Sequence, residues 1–227
     1  KPMKNLNENL HPTSQAEFDF DSNLAPIQPN NLLPYDGCVE YLGKILTPKC
    51  ADEYFNQLFE DICWQHDQAM IFGRCIQTKR KVAWYGNQQY SYTYSGIEKK
   101  AMLWTPVLLE LKAIVEAQCA EQFNSCLLNL YHDGSQGMAW HSDGEKDLKP
   151  QGTIASLSLG ASRRFLFKHK VSHEKIEIQL MHGSLLLMKG CTQNHWLHHL
   201  PTTKRNLGAR INLTFRNIVK NVPSQFK

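Results

Sequence analysis

Ala209-Arg210-Ile211-Asn212-Leu213-Thr214-Phe215-Arg216 is the stretch that decides the fold. Arg210, Asn212, Thr214 and Arg216 alternate with Ile211, Leu213 and Phe215. Only an extended strand turns that period of two into one polar and one apolar face. Arginines on one face are costly to bury unless an anion answers them, and a guanidinium grips a carboxylate through two parallel hydrogen bonds. The strand is therefore expected to carry a dicarboxylate clamp on a sheet whose other face is packed.

Upstream of it, short apolar or alternating runs predict further strands at Ser125–Tyr131, Thr153–Leu159, Arg164–Lys168, Lys175–Leu180 and Ser184–Met188. Turns rich in Gly, Pro and Asp separate them, which suits a double-sheet jelly roll rather than alternating βαβ units. Two helices precede this region. Thr47-Pro48 and Thr105-Pro106 each supply an N-cap followed by a proline at the first helical position. Cys50, Tyr54, Leu58, Phe59 and Ile62 recur at helical spacing after the first, and Leu108, Leu111, Val115 and Cys119 after the second. Between the helices, residues 71–96 read as an aromatic and basic insert. The expected class is α+β, with helices flanking one face of a jelly roll and a ligand site in its mouth.

At 227 residues, 42% apolar and 20% charged, the chain suits one good-sized domain with a sizeable core. No apolar run approaches the roughly 18 residues of a membrane helix, and no signal-peptide core follows the start. An intracellular protein is expected, cytoplasmic if bacterial and nuclear if eukaryotic. Residue 1 is Lys1, the mark expected of a sequence lacking its native start. Seven cysteines without a C-x-x-C pair argue against a disulfide framework or zinc ribbon. A net charge of +4 permits a nucleic-acid partner without requiring one.

His141-Ser142-Asp143 places two ligand types one residue apart, so on a strand both would project from one face. With a histidine from the His195, His198 and His199 cluster, they would complete a two-histidine, one-carboxylate iron site. Spacing alone does not choose among those three histidines. Such a site leaves positions open for a chelating 2-oxo acid and oxygen. Zinc hydrolysis is the competing chemistry, and it would leave Arg210 and Arg216 unanswered. Triad and clamp together point to a 2-oxoglutarate-dependent dioxygenase.

Over residues 40–220 the chain resembles the AlkB family of iron and 2-oxoglutarate-dependent nucleic-acid demethylases. The resemblance is carried by Asn129-Leu-Tyr131, His141-Ser-Asp143, the run from Ile154 to Ala161, His182-Gly-Ser-Leu-Leu-Leu-Met188 and Arg210-Ile-Asn-Leu-Thr-Phe-Arg216. It implies a double-stranded β-helix (jelly roll) with flanking helices and an N-terminal nucleotide-recognition lid. It further implies His141, Asp143 and His198 as Fe(II) ligands, with Asn129, Tyr131, Arg210, Asn212, Thr214 and Arg216 at 2-oxoglutarate, and O2 as the other cosubstrate.

Trp84-Tyr-Gly86 and Tyr92-Thr-Tyr94-Ser-Gly96 place the chain nearer homologues acting on DNA bases. Tyr92 and Tyr94 would share a strand face and stack on an extruded base, with His141 on the base's other side. Phe72-Gly73-Arg74 matches a segment that wedges into duplex DNA in one relative. Lys79, Arg80 and Lys81 are placed to neutralise phosphates. Relatives often read His-x-Asp-Asp-Glu where this chain has Gly144, leaving Glu145 to meet the methylated base. The implied domains are an arm (1–30), a helical and nucleotide-recognition lid region (31–123), the oxygenase core (124–220) and a tail (221–227). A monomer is expected, repairing N1-methyladenine and N3-methylcytosine in alkylated DNA, single- or double-stranded. An RNA demethylase, a peptide hydroxylase and a catalytically silent nucleic-acid binding module are the alternatives.

Overall fold

The computed structural model describes residues 30–71, 74–94 and 97–219. Residues 1–29 of the expected arm, the tail, Phe72 and Gly73 lie outside these residues.

Helices α1 (Pro48–Asp61) and α2 (Pro106–Cys119) start where the Thr-Pro pairs predict. Thr47 Oγ1 accepts the Cys50 N–H at 3.3 Å and Thr105 Oγ1 accepts that of Leu108 at 3.4 Å. Each cap satisfies an orphan amide of the first turn, where the proline has none to satisfy. The strands are β1 (Cys38–Lys44), β2 (Gln65–Ile71), β3 (Arg74–Gly86), β4 (Ser91–Tyr94), β5 (Ile97–Lys100), β6 (Met102–Leu103) and β7 (Ser125–Tyr131). They continue with β8 (Met138–His141), β9 (Ile154–Gly160), β10 (Arg163–His169), β11 (Lys175–Leu180), β12 (Ser184–Lys189), β13 (Trp196–Leu200) and β14 (Arg210–Arg216), a short helix α3 (Thr192–His195) preceding β13.

The larger sheet runs β1-β12-β9-β14-β7-β3-β2, with β6 beside β3, and the smaller runs β11-β10-β13-β8. Ile211, Leu213 and Phe215 of β14 pack with Leu128, Leu130, Leu157 and Leu159 against Leu58, Leu108 and Leu111 of the helices. On the sheet's other side Leu186 and Met188 of β12 meet Phe167, Leu180 and Trp196 of the smaller sheet. Burying a side chain of this size contributes roughly 1.5–3 kcal/mol, so both faces of the central strands are anchored. The result is a jelly roll with helices on one outer face, and the polar row of β14 faces its interior. Among the described residues no helix is long and apolar enough to cross a membrane.

Within the insert between the two helices, β3 enters the larger sheet beside β7 and buries Ala83 and Tyr85 there. The larger sheet thus draws β1, β2, β3 and β6 from before the expected boundary at residues 123 and 124. The segment after His195, where the sequence reading places no strand, is β13, with Trp196, His198 and Leu200 buried at alternate positions.

Candidate active site

Register brings the first two candidate ligands together. In the antiparallel pair of β8 and β13, His141 lies directly opposite His198. Their ring centroids are 4.2 Å apart. Strand β8 ends at His141, so Asp143 sits just beyond the strand rather than on it. The Asp143 N–H donates to Gln193 Oε1 at 2.9 Å, which fixes the turn. Asp143 Oδ1 then lies 3.8 Å from His141 Nε2 and 3.9 Å from His198 Nε2. All three donor atoms fall within 4.8 Å of one another.

The protonation states suit metal binding. His141 Nδ1 lies 2.8 Å from the Ala139 carbonyl, which can only accept, so Nδ1 carries the proton and Nε2 keeps its lone pair. Burial against Phe165, whose ring stacks on His198 at 5.5 Å, pushes the His198 pKa down to about 4 although Asp143 pulls the other way. His198 is therefore a neutral ligand at physiological pH. Two imidazoles and a carboxylate are the donor set of a non-haem Fe(II) site.

The other two histidines of the cluster go elsewhere. His199 Nδ1–H donates to the Met138 carbonyl at 2.6 Å and its ring stacks on Trp140 at 4.8 Å. His195 gathers with Asp36 and His169, a second group with metal-ligand side chains. There the Ser172 N–H donates to His169 Nδ1 at 3.0 Å, so His169 Nε2 holds the proton, 3.3 Å from Asp36 Oδ2 but without a hydrogen bond to it. That nitrogen has no lone pair for a metal.

A cavity of about 60 Å³ joins the triad to the polar row of β14 and is lined by Asn129, Tyr131, Arg210, Asn212, Thr214 and Arg216. Pairing explains the arrangement: Arg210 lies opposite Tyr131 and Asn212 opposite Asn129, so residues of adjoining strands share the interior face. Arg210 is fully buried; burial holds its pKa down at about 10, the phenol of Tyr131 opposing and Arg163 adding to the shift. Its Nη2 donates to Ser158 Oγ at 2.9 Å. Asn212 Nδ2 donates to Ser156 Oγ at 2.8 Å, and Thr214 Oγ1 to Asn212 Oδ1 at 3.2 Å. Arg210 Nε, Arg216 Nε and Asn129 Oδ1 are buried without a partner. Each such group costs about 1–3 kcal/mol. Unpaired donors on two cations in one cavity fit an anionic ligand, as 2-oxoglutarate requires.

A second cavity, about 750 Å³, shares Leu127, Met138 and Arg216 with the first and is walled by Trp84, Tyr90 and Arg80. Trp84 Nε1 donates to Ser125 Oγ at 2.8 Å, and the indole stacks with Tyr90, centroids 6.3 Å apart. Tyr92 and Tyr94 occupy alternate positions of β4, opposite Lys99 and Ile97, and Arg74 opens β3 opposite Ile71. One expectation fails here. Arg80 is buried and paired with Asp67, so it does not face phosphates. Glu145 lines the cavity and accepts from Arg216 Nη1 at 3.1 Å through Oε1. Sequence reasoning missed Ser156, Ser158, Tyr90, Asp67, Met138 and Gln193. The alternation Ser156-Leu157-Ser158 marked the first two; nothing in the sequence marks Asp67 or Gln193.

Residues 38–216 match the family described as the 2OG-Fe(II) oxygenase superfamily. The chain is 38% identical to mouse "DNA oxidative demethylase ALKBH2" over 180 residues, 74% of this chain and 75% of that protein. It is 34% identical to mouse "Alpha-ketoglutarate-dependent dioxygenase alkB homolog 3" over 208 residues, 88% of this chain and 70% of that protein. The chain belongs to the AlkB family. A solved structure described as that of OsALKBH1 shares the fold at a TM-score of 0.55 and 16% identity, covering 78% of this chain and 97% of its own. This AlkB-family protein is accordingly a dioxygenase that uses Fe(II), 2-oxoglutarate and O2.

Proposed function

We propose that this AlkB-family dioxygenase is an oxidative demethylase of N-alkylated bases in DNA, acting on N1-methyladenine and N3-methylcytosine. The observation that carries this is the 750 Å³ cavity, aromatic on one wall and adjoining the metal triad through Met138 and Leu127. It is of ligand-pocket size, and stacking surfaces beside a metal suit a base taken out of its helix. The names of the relatives ALKBH2 and alkB homolog 3 point the same way.

In this reading residues 31–123 contribute base recognition through Trp84, Tyr92, Tyr94 and Arg74, and residues 124–220 hold metal and cosubstrate. Phe72 and Gly73 belong to the same recognition segment on the sequence resemblance. His141, Asp143 and His198 would hold Fe(II). Bound with 2-oxoglutarate and oxygen, it supplies oxidation of a methyl C–H bond to a hydroxymethyl group, which leaves as formaldehyde while succinate and carbon dioxide form. The chain's part is positional. Ala139 orients His141, Gln193 holds the Asp143 turn, and Ser158 holds one arm of Arg210. Arg210 and Arg216 line one cavity with an unpartnered Nε each, and in this reading they would take the two carboxylates of 2-oxoglutarate.

Methylation at these ring nitrogens leaves the base cationic and unpaired, which lowers the cost of extrusion. The test is formaldehyde and succinate release from one methylated base in single-stranded DNA, duplex DNA and RNA. Release from DNA supports the proposal. Turnover confined to RNA moves the substrate, and oligonucleotide affinity with no turnover rejects it.

A further inference from the structure

Strands β4 and β5 pair with each other and with neither main sheet, so beyond its base the hairpin that carries Tyr92 and Tyr94 has no strand ladder to hold it beside the large cavity. Near its base the Ala101 N–H donates to the Tyr90 carbonyl at 2.8 Å, and Tyr90 stacks on Trp84. Farther along, Lys99 of β5 places Nζ 2.5 Å from Asp67 Oδ1 on β2. The other oxygen of Asp67 pairs with Arg80 on β3. Arg80 in turn donates to the Met138 sulfur on β8, and Met138 borders both cavities. One carboxylate thus links the hairpin to the strands beside the metal triad.

We propose that Asp67 is a positioning residue whose carboxylate, through Lys99, latches the β4–β5 hairpin over the substrate cavity. The proposal rests on reading that cavity as the site for the base. Asp67 lines it, yet direct pairing with a cationic base is the poorer account. Both oxygens already meet cations, and Arg80, Lys99 and Asp67 sum to one positive charge. Burial alone would raise the Asp67 pKa, but the Lys99 hydrogen bond and the charges of Lys99 and Arg80 hold it below the ordinary carboxylate range, so the latch stays ionised near neutrality. Asp67 is 16% exposed and Lys99 29%, enough shielding for the pair to outweigh a solvated surface bridge.

Lys99→Met is the informative variant, because it removes the charge and keeps the stem while leaving Arg80 paired. Asp67→Asn is the second, and Lys99→Arg the conservative rescue. Two readouts are taken on the full chain: amide hydrogen exchange in residues 97–101 against 210–216, and KM for a methylated oligonucleotide against KM for 2-oxoglutarate. In Lys99→Met and Asp67→Asn, protection of 97–101 should fall and oligonucleotide KM rise roughly three- to tenfold, the scale of a partly shielded charged hydrogen bond. Protection of 210–216 and KM for 2-oxoglutarate should hold, and Lys99→Arg should restore both readouts toward wild type. Unchanged protection in Lys99→Met overturns the latch, including when KM rises, since Lys99 would then touch substrate itself. Lost protection with unchanged oligonucleotide KM overturns its role at the cavity. If wild-type protein turns over no methylated oligonucleotide, the base reading fails, and exchange alone decides whether Asp67 holds the hairpin.

Discussion

His198 on β13 faces His141 on β8 as its cross-strand partner, and Asp143 Oδ1 lies 3.9 and 3.8 Å from their Nε2 atoms. The donor triangle is therefore a product of strand register and one turn, which makes the choice of histidine testable. His198→Ala should lower Mn(II) affinity, measured anaerobically by calorimetry, by more than the roughly 100-fold upper range of an outer-shell change. His195→Ala and His199→Ala should bind within a few-fold of wild type. An inert His198→Ala substitution would remove His198 from the triad.

Arg210→Lys and Arg216→Lys keep the charge but lose the planar fork. A charge-assisted hydrogen bond to a carboxylate contributes about 1.5–3 kcal/mol, so KM for 2-oxoglutarate should rise on the order of ten- to a hundredfold in each. Ser158→Ala should act in the same direction and more weakly, because it removes only the 2.9 Å contact that steadies Arg210. Steady-state titration of 2-oxoglutarate at fixed oligonucleotide checks the series.

Tyr90→Leu keeps bulk while losing the ring that stacks with Trp84. If the cavity takes a base, oligonucleotide affinity should drop by the worth of one stacking contact, about 1–3 kcal/mol. Cosubstrate affinity should stay level, since Tyr90 does not border the smaller cavity. Fluorescence anisotropy on a methylated single strand measures the first, and 2-oxoglutarate titration the second.

The buried His198 makes the metal-free protein acid-sensitive in a defined window. Its folded pKa of about 4 lies below the ordinary 6.5. Between those values the unfolded chain binds a proton that the fold refuses, so stability is full above pH 6.5, declines as pH falls, and levels below about 4. The loss should be on the order of 3 kcal/mol. Urea unfolding of apoprotein across that range should show it, and His198→Gln should flatten this part of the profile.

What could be read from the sequence follows physical rules. Strand β14 was legible because one face is wholly apolar and the other wholly polar, and α1 and α2 because threonine caps and prolines mark their starts. Strand β3 was obscured by its own basic residues, since Arg80 is buried through an ion pair with Asp67 on the neighbouring strand β2, a pairing that no local pattern announces. Strand β13 was hidden because a core position is filled by His198, which composition reads as polar. The clamp and the His141-Ser-Asp143 pair were visible locally. Choosing among three neighbouring histidines needed the pairing of β13 with β8, which no spacing within one segment encodes.

That pairing has a consequence for how the chain tolerates length changes. Side chains alternate along a strand, so a single residue added or removed between the start of β13 and His198 would turn the imidazole to the opposite face while leaving the hydrogen-bond ladder intact. Trp196 and Leu200 share the buried face of His198, so such a variant would lose core packing together with its metal. A residue added in the connection at 201–208, between β13 and β14, would leave the register of both strands alone. Insertions a few positions apart should thus separate sharply into silent and inactivating classes, with the boundary at the end of β13.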